Sequence, residues 1–317
     1  MMETYLIVRV HGLLQHLLKP KDYINFLEEK VTLNELGYTN EEYDLERKIN
    51  SICGKFIERI KFLEKIGGSL TPFFTAFLDF LEINNVKYKF RYLRGSSRDI
   101  YYIPYSHFIP FDRLISISDE EELMFLLSKT PYITILEPKI KRIKVSNLSL
   151  KVIEAILDAI YCSYYRYQAK IAHIKKGTLR LVDLEILIKY LYWLLNLTEE
   201  DIALLKNIRL IEEFLPKTFK VIDNIENILK LYNIKYDNVQ YIINSKQISR
   251  LMSMIYKAFL RKVSKAALRG SMSQEYVYYY MLLCKFEMSN LERIIIGKKT
   301  GLTRELIEPA LIFPPSL

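Results

Sequence analysis

A chain of 317 residues is longer than one hydrophobic core usually serves, so two or three domains are expected. Half of the residues are apolar and 13% aromatic, which excludes a disordered chain, and 10 Gly with 10 Pro leave too few turn formers for an all-β protein. The formal charge of +9 favours anionic partners without choosing among nucleic acid, acidic lipid and acidic protein.

Taken in order, Leu6, Val10, Leu13, Leu14 and Leu17 predict a helix over 4–18 that Pro20 closes. The same stretch carries Arg9, His11 and His16 and lacks a small-residue cleavage site, so no export signal is expected. A short helix follows over 22–29. Over 44–64, Leu45, Ile49, Ile52, Phe56, Ile60 and Leu63 share one stripe with charges between them, the pattern of a surface helix facing a core, and Gly67, Gly68 and Ser69 predict the turn that ends it. The next segment, 72–93, is more apolar, as the central helix of a domain would be, and Gly95, Ser96 and Ser97 break it. The aromatic stretch 96–115, with Pro104 and Pro110, reads as a packed crossing between domains. Ser118 with Glu121 predicts a capping box for a helix over 119–127, and 131–145 reads as extended.

Helix returns over 148–174, with Val152, Ile156, Ile160, Tyr164 and Tyr167 on one side, and over 178–197. The densest apolar run, 184–197, is too short to cross a bilayer. The same two-helix order recurs over 246–268 and 273–296, with Gly270 between. Thr198 and Thr303 stand where N-caps would, each followed by acids in a first turn.

This recurrence is the main signal. Glu287, Asn290, Leu291 and Arg293 in the last long segment are matched by Glu82, Asn85, Val86 and Lys87, which lie 205 residues earlier. Near halfway, Val182, Asp183, Leu184, Leu187 and Lys189 keep the apolar spacing and one acid, with Ile186 in the asparagine's place. Three like helical domains are therefore expected, over 1–105, 106–209 and 210–317. Buried glutamates beside bases and asparagines satisfying backbone carbonyls explain the repeated polar pair better than chemistry does, and Glu82 and Glu287 fall in different domains, which argues against a catalytic carboxylate pair.

No cofactor, metal or catalytic set emerges from the remaining candidates. Cys53, Cys162 and Cys284 are odd in number and far apart, which predicts buried, reduced thiols. His11, His16, His107 and His173 show no ligand spacing. Gly297, Lys298, Lys299 and Thr300 resemble the end of a phosphate loop, but Glu292 occupies the place of its first glycine and Lys299 that of its Ser or Thr; a helix C-terminus relieved by glycine explains them better. The tyrosines at 161, 164, 165, 167, 276 and 278–280 suit helix interfaces more than base stacking. Bases such as Lys139, Lys141, Arg142 and Lys144 form small groups and no stripe at repeat spacing, which disfavours the rival reading of a helical-repeat nucleic-acid-binding or scaffold protein.

The segments FLDFLEINNVKYKFRYLRG, LRLVDLEILIKYLYWLLNLTEEDI and CKFEMSNLERIIIGKKTGLTRELIEPAL together resemble the C subunit of archaeal A-type ATP synthases and V/A-type ATPases, counterpart of the eukaryotic V-ATPase d subunit. Nearly the whole chain takes part. The third segment carries the pattern most fully, at Glu287, Asn290, Leu291, Arg293, Gly297 and Lys298; the first has Arg91 or Arg94 for its arginine, and the second departs at Glu185 and Ile186. The resemblance implies an all-α funnel of three similar domains about a pseudo-threefold axis, peripheral on the cytoplasmic face of the membrane. It also implies a non-catalytic coupling role, with the D- and F-type subunits of the central stalk, the proteolipid ring and, transiently, the membrane stator subunit as partners, and no nucleic acid.

Overall fold

The computed structural model describes residues 2–38, 44–96, 101–134, 145–215, 224–269 and 273–314, and every regular element among them is helical. The expected fold class, all-α, is the one observed. In chain order the α-helices are α1 (Met2–Leu14), α2 (Pro20–Leu27), α3 (Leu45–Gly67), α4 (Thr71–Leu78), α5 (Phe80–Leu93), α6 (Phe111–Ser116), α7 (Glu120–Ser128), α8 (Pro131–Thr134) and α9 (Leu150–Ile171). They continue with α10 (Lys176–Asn196), α11 (Glu199–Asn207), α12 (Ile211–Phe214), α13 (Ile225–Leu231), α14 (Gln240–Asn244), α15 (Ile248–Arg269), α16 (Gln274–Lys299) and α17 (Arg304–Ile307).

The chain divides into two compact units built from non-consecutive stretches. One comprises Met1–Thr71, Lys175–Leu181 and Glu226–Leu317; the other comprises Pro72–Ile174 and Val182–Ile225. In the first, α16 is the hub, packed by α15, α3 and α1. Its Tyr278, Tyr280, Met281, Leu282, Leu291 and Ile294 are all buried, so it is apolar around most of its circumference, as a helix enclosed by others must be. Against it α3 lays Ile52, Phe56, Ile60 and Leu63, the stripe read from the sequence. Asp44 caps α3 by accepting from Arg47 N–H at 2.8 Å.

In the second unit α9 is central, with 15 of its 22 residues buried, and α5 packs beside it. Tyr165 stacks on Phe73 at 5.4 Å, and Phe108, Tyr132 and Tyr164 meet edge to face. Ser149 starts α9 and Thr198 starts α11, the latter through a complete capping box with Asp201. Among the described residues one helical run, Leu45–Leu93, is long and apolar enough to cross a membrane, but 61% of its most apolar window is buried inside the protein, as befits a core helix.

Several expectations need correction. The cap of α7 is Asp119, which accepts from Glu122 N–H, while Glu122 reaches back to Ser118 N–H: the box is shifted by one residue from Ser118 and Glu121. Thr303 precedes α17 without a side-chain cap bond. Gly67 to Ser69, by contrast, end α3 as expected: Gly68, at φ +57°, is its C-cap and opens a 3₁₀ turn that leads straight into α4. Residues 131–134 form the turn of helix α8, not an extended segment. Val145, at its end, opens a 3₁₀ turn, while residues 135–144 with their four bases, the breaker Ser97 and the turn at Gly270 lie outside the described residues.

Candidate functional site

The recurring motif residues sit on the central helices, and each grips protein. On α16, Asn290 is fully buried; its Nδ2 donates to Ile312 O at 2.8 Å and its Oδ1 accepts from Ile312 N–H at 2.8 Å. A side-chain amide thus substitutes for a partner strand, satisfying both backbone groups of one residue in an extended segment. The same segment is held by Arg293, which donates to Ala310 O at 2.7 Å, by Ser253, which donates to Ala310 O, and by Lys257, which donates to Pro309 O. Burial pushes the Arg293 guanidinium pKa down.

Three residues before Asn290, Glu287 is 2% exposed and accepts from Leu18 N–H at 2.7 Å, from the Tyr38 hydroxyl and from the Arg59 guanidinium. Burial first, and then the Glu287 charge, push the Tyr38 hydroxyl pKa up. One carboxylate therefore ties α16 to α3 and to the segment entering α2. It also forms part of the wall of an apolar groove of about 590 Å³ bounded by Leu14, Leu18, Tyr23, Phe286 and Phe313. A neighbouring cavity of about 530 Å³ is lined by Phe26, Leu33, Ile295, Lys48, Lys298 and Lys299.

Gly297 and Lys298 fall in the last turn of α16, the helix end expected from the sequence, but the glycine is there for packing and not for backbone relief. Gly297 lies inside α16, and a Cβ there would stand 2.7 Å from Ile307 Cδ1, so the missing side chain lets α17 approach. Backbone relief is supplied instead by Gly301, at φ +72°, with Leu302 N–H donating to Gly297 O to close the helix end. Lys298 Nζ donates to Phe26 O at 2.9 Å and pairs with Glu29. Gly297→Ala should cost about 1–3 kcal/mol through overpacking against Ile307, readable as a lower urea midpoint with an unchanged slope.

In the other unit, Asn85 repeats the clamp: Nδ2 donates to Ile103 O at 3.0 Å and to Tyr105 O, and Oδ1 accepts from Ile103 N–H at 2.8 Å. Glu82 does not meet the expected base. It accepts from three successive backbone amides, His107 at 2.7 Å, Phe108 at 3.0 Å and Ile109 at 2.9 Å, and from the Tyr132 hydroxyl at 2.6 Å. Such a nest of N–H groups satisfies a buried carboxylate without a cation. Arg91 grips Glu154 with two bonds, at 2.6 and 3.0 Å, while Arg94 does the same with Glu120, so the two candidate arginines serve different partners.

The decayed middle copy contributes an ionic core. Asp183 pairs with Arg166 at 2.9 Å, and Lys189 pairs with Asp158 at 2.7 Å. Asp158 is also met by Lys87 at 2.8 Å and by Trp193 Nε1 at 3.0 Å. Burial alone would raise its pKa, but Lys189 and Lys87 hold it well below the usual carboxylate range. Burial is the main influence on Lys87, lowering its pKa. Sequence reading missed Asp158, Glu154 and Arg59. The available signal for the first two was an acid pair four residues apart inside a run of Val, Ile, Ala and Leu, where a charge has no place unless partnered.

The thiols and most of the tyrosines singled out in the sequence are enclosed. Cys53, Cys162 and Cys284 are unpaired by disulfide and 0% exposed, with burial pushing the Cys162 and Cys284 thiols up to about 12. Cys53 donates to Glu292, whose pKa burial raises. Tyr276 and Tyr278–Tyr280 are buried on α16, whereas Tyr167 is 49% exposed. No cluster of His, Cys, Asp and Glu able to hold a metal occurs among the described residues.

These features define an all-helical protein stiffened by buried ion pairs and by side chains that clamp its own backbone. A family profile described as ATP synthase (C/AC39) subunit matches residues 6–309, and the chain belongs to that family. It is accordingly a subunit of the V/A-type ATP synthase class, whose partners are other subunits of the complex. No curated protein matches the chain.

Proposed function

We propose that the chain is the non-catalytic socket of a rotary A/V-type ATPase, a three-repeat funnel seated peripherally on the cytoplasmic face of the membrane. In this reading the repeats over 1–105, 106–209 and 210–317 surround a pseudo-threefold axis. The proteolipid ring lies beneath, the D- and F-type stalk subunits enter the mouth, and the stator subunit is touched in passing. The socket transmits torque between ring and shaft, for ATP synthesis driven by protons or for proton pumping driven by ATP. Family membership over residues 6–309 is the observation that carries the reading. The use of Glu82, Asn85, Arg91, Asp183, Lys189, Glu287, Asn290, Arg293, Gly297 and Lys298 for internal anchoring supports it, because torque transfer requires stiffness.

Affinity purification of the tagged full chain from detergent-solubilised membranes tests this. Stalk and proteolipid subunits should be recovered, with each stalk subunit in roughly equal amount to the chain. Recovery of nucleic acid or unrelated soluble proteins in their place would remove the socket role.

A further inference from the structure

Helix α15 is unlike the two long helices that correspond to it in the repeated sequence pattern. Between Ile248 and Arg269 it carries Arg250, Lys257, Arg261, Lys262, Lys265 and Arg269 and no acid, whereas α3 contains Glu46, Glu58 and Glu64, and α9 contains Glu154 and Asp158. Its apolar side is committed: Leu251, Ile255, Phe259, Leu260 and Val263 are buried, and α15 packs chiefly on α16.

On the opposite side Arg250, Met254, Lys257, Arg261, Lys265 and Leu268 recur at three- and four-residue steps, which places them on one straight face about 27 Å long. Arg250, Arg261, Lys265 and Arg269 are exposed, and Leu268 is 54% exposed. Among the described residues Arg261, Lys262, Lys265 and Arg269 make no hydrogen bond or ion pair. The nearby charges add to the excess. Burial lowers the Lys262 pKa, with Arg180 and Lys265 contributing, and burial lowers that of Lys257, with Arg293 and Arg261 contributing.

We propose that this face of α15 docks on the anionic headgroups of a phospholipid bilayer. A rigid line of uncompensated cations gains attraction from a negative surface at each residue. The groups between the cations favour lipid: Met254, Ala258 and Leu268 supply apolar surface that can enter the headgroup layer beside the cations, and offer no ring on which a base could stack.

Sedimentation of the isolated full chain with vesicles tests the surface, using phosphatidylcholine alone and phosphatidylcholine mixed equally with phosphatidylglycerol. Binding should be confined to the mixed vesicles and should weaken as salt rises. The triple variant Arg250→Gln, Arg261→Gln, Lys265→Gln should bind them about 100-fold more weakly. Arg113→Gln, Lys129→Gln, Lys206→Gln lowers the net charge equally from exposed positions in the other unit and should bind like the parent. Equal binding by parent and α15 variant overturns the proposal, as does equal loss in both variants. Binding to an oligonucleotide or a polyglutamate peptide without binding to mixed vesicles also overturns it. Circular dichroism melting confirms that both variants are folded. Because the assay contains no other subunit, its failure would leave the socket reading standing.

Discussion

Asp158→Ala is expected to lower stability by about 3–5 kcal/mol and the melting temperature by several degrees. The substitution removes one small side chain, but it strands Lys87, which is 7% exposed, and takes one ion-pair partner from Lys189 and the acceptor from the Trp193 indole N–H, all of which converge on that carboxylate. Asp158→Asn, which retains an acceptor for Trp193 but not the charge, should fall between the two. The effect carries a pH signature. Asp158 has a folded pKa below its unfolded value of about 3.9, so its contribution is complete above that pH and is lost as pH falls from there toward the folded value. Urea unfolding along an acid series should show the parent losing stability below about pH 4, with the Asp158 share of that loss absent from the alanine protein. A parallel pair of curves would contradict the assignment.

Glu287→Ala should be of similar size, about 3–5 kcal/mol, because Leu18 N–H, Tyr38 and Arg59 lose a common acceptor. Two companion variants separate its parts. Glu287→Leu combined with Arg59→Met eliminates the stranded cation and should recover much of the loss, leaving the deficit due to Leu18 and Tyr38. Glu287→Gln keeps an acceptor but surrenders the charge. Hydrogen exchange at Leu18 in Glu287→Ala should accelerate well beyond that at Ile312, which Asn290 holds independently. Uniform acceleration at both amides would mean that Glu287 acts on the whole unit, not as a local tie.

The helices were legible because their periodicity is local. The stripe Ile52, Phe56, Ile60 and Leu63, the cap at Asp44 and the box at Thr198 each depend on residues within a few positions of one another. The equivalence of Asn85 and Asn290 was legible as well, since 205 residues separate two near-identical patterns. What each pattern holds was not, because the partners come from outside it. Glu82 is gripped by amides 25 to 27 residues away and Glu287 by Arg59 from the far end of the chain. The two glutamates look alike in sequence, yet one is neutralised by a cation and the other by backbone dipoles. Gly297 misled for a similar reason: its requirement is set by Ile307 packing across the helix, while a second glycine four residues later supplies the left-handed turn. The site around Asp158 needed Lys87, Lys189 and Trp193 from two other helices and left only the oddity of an acid in an apolar run.

The sealed sulfurs make the protein a reporter of its own opening. A thiol that is 0% exposed and protonated far above neutrality offers an alkylating reagent neither access nor thiolate, so labelling must wait for structure to open. Cys53 and Cys284 belong to one compact unit and Cys162 to the other. Alkylation rates at these three positions, resolved by peptide mass, therefore time the breathing of the two units separately within one native molecule, without an introduced probe.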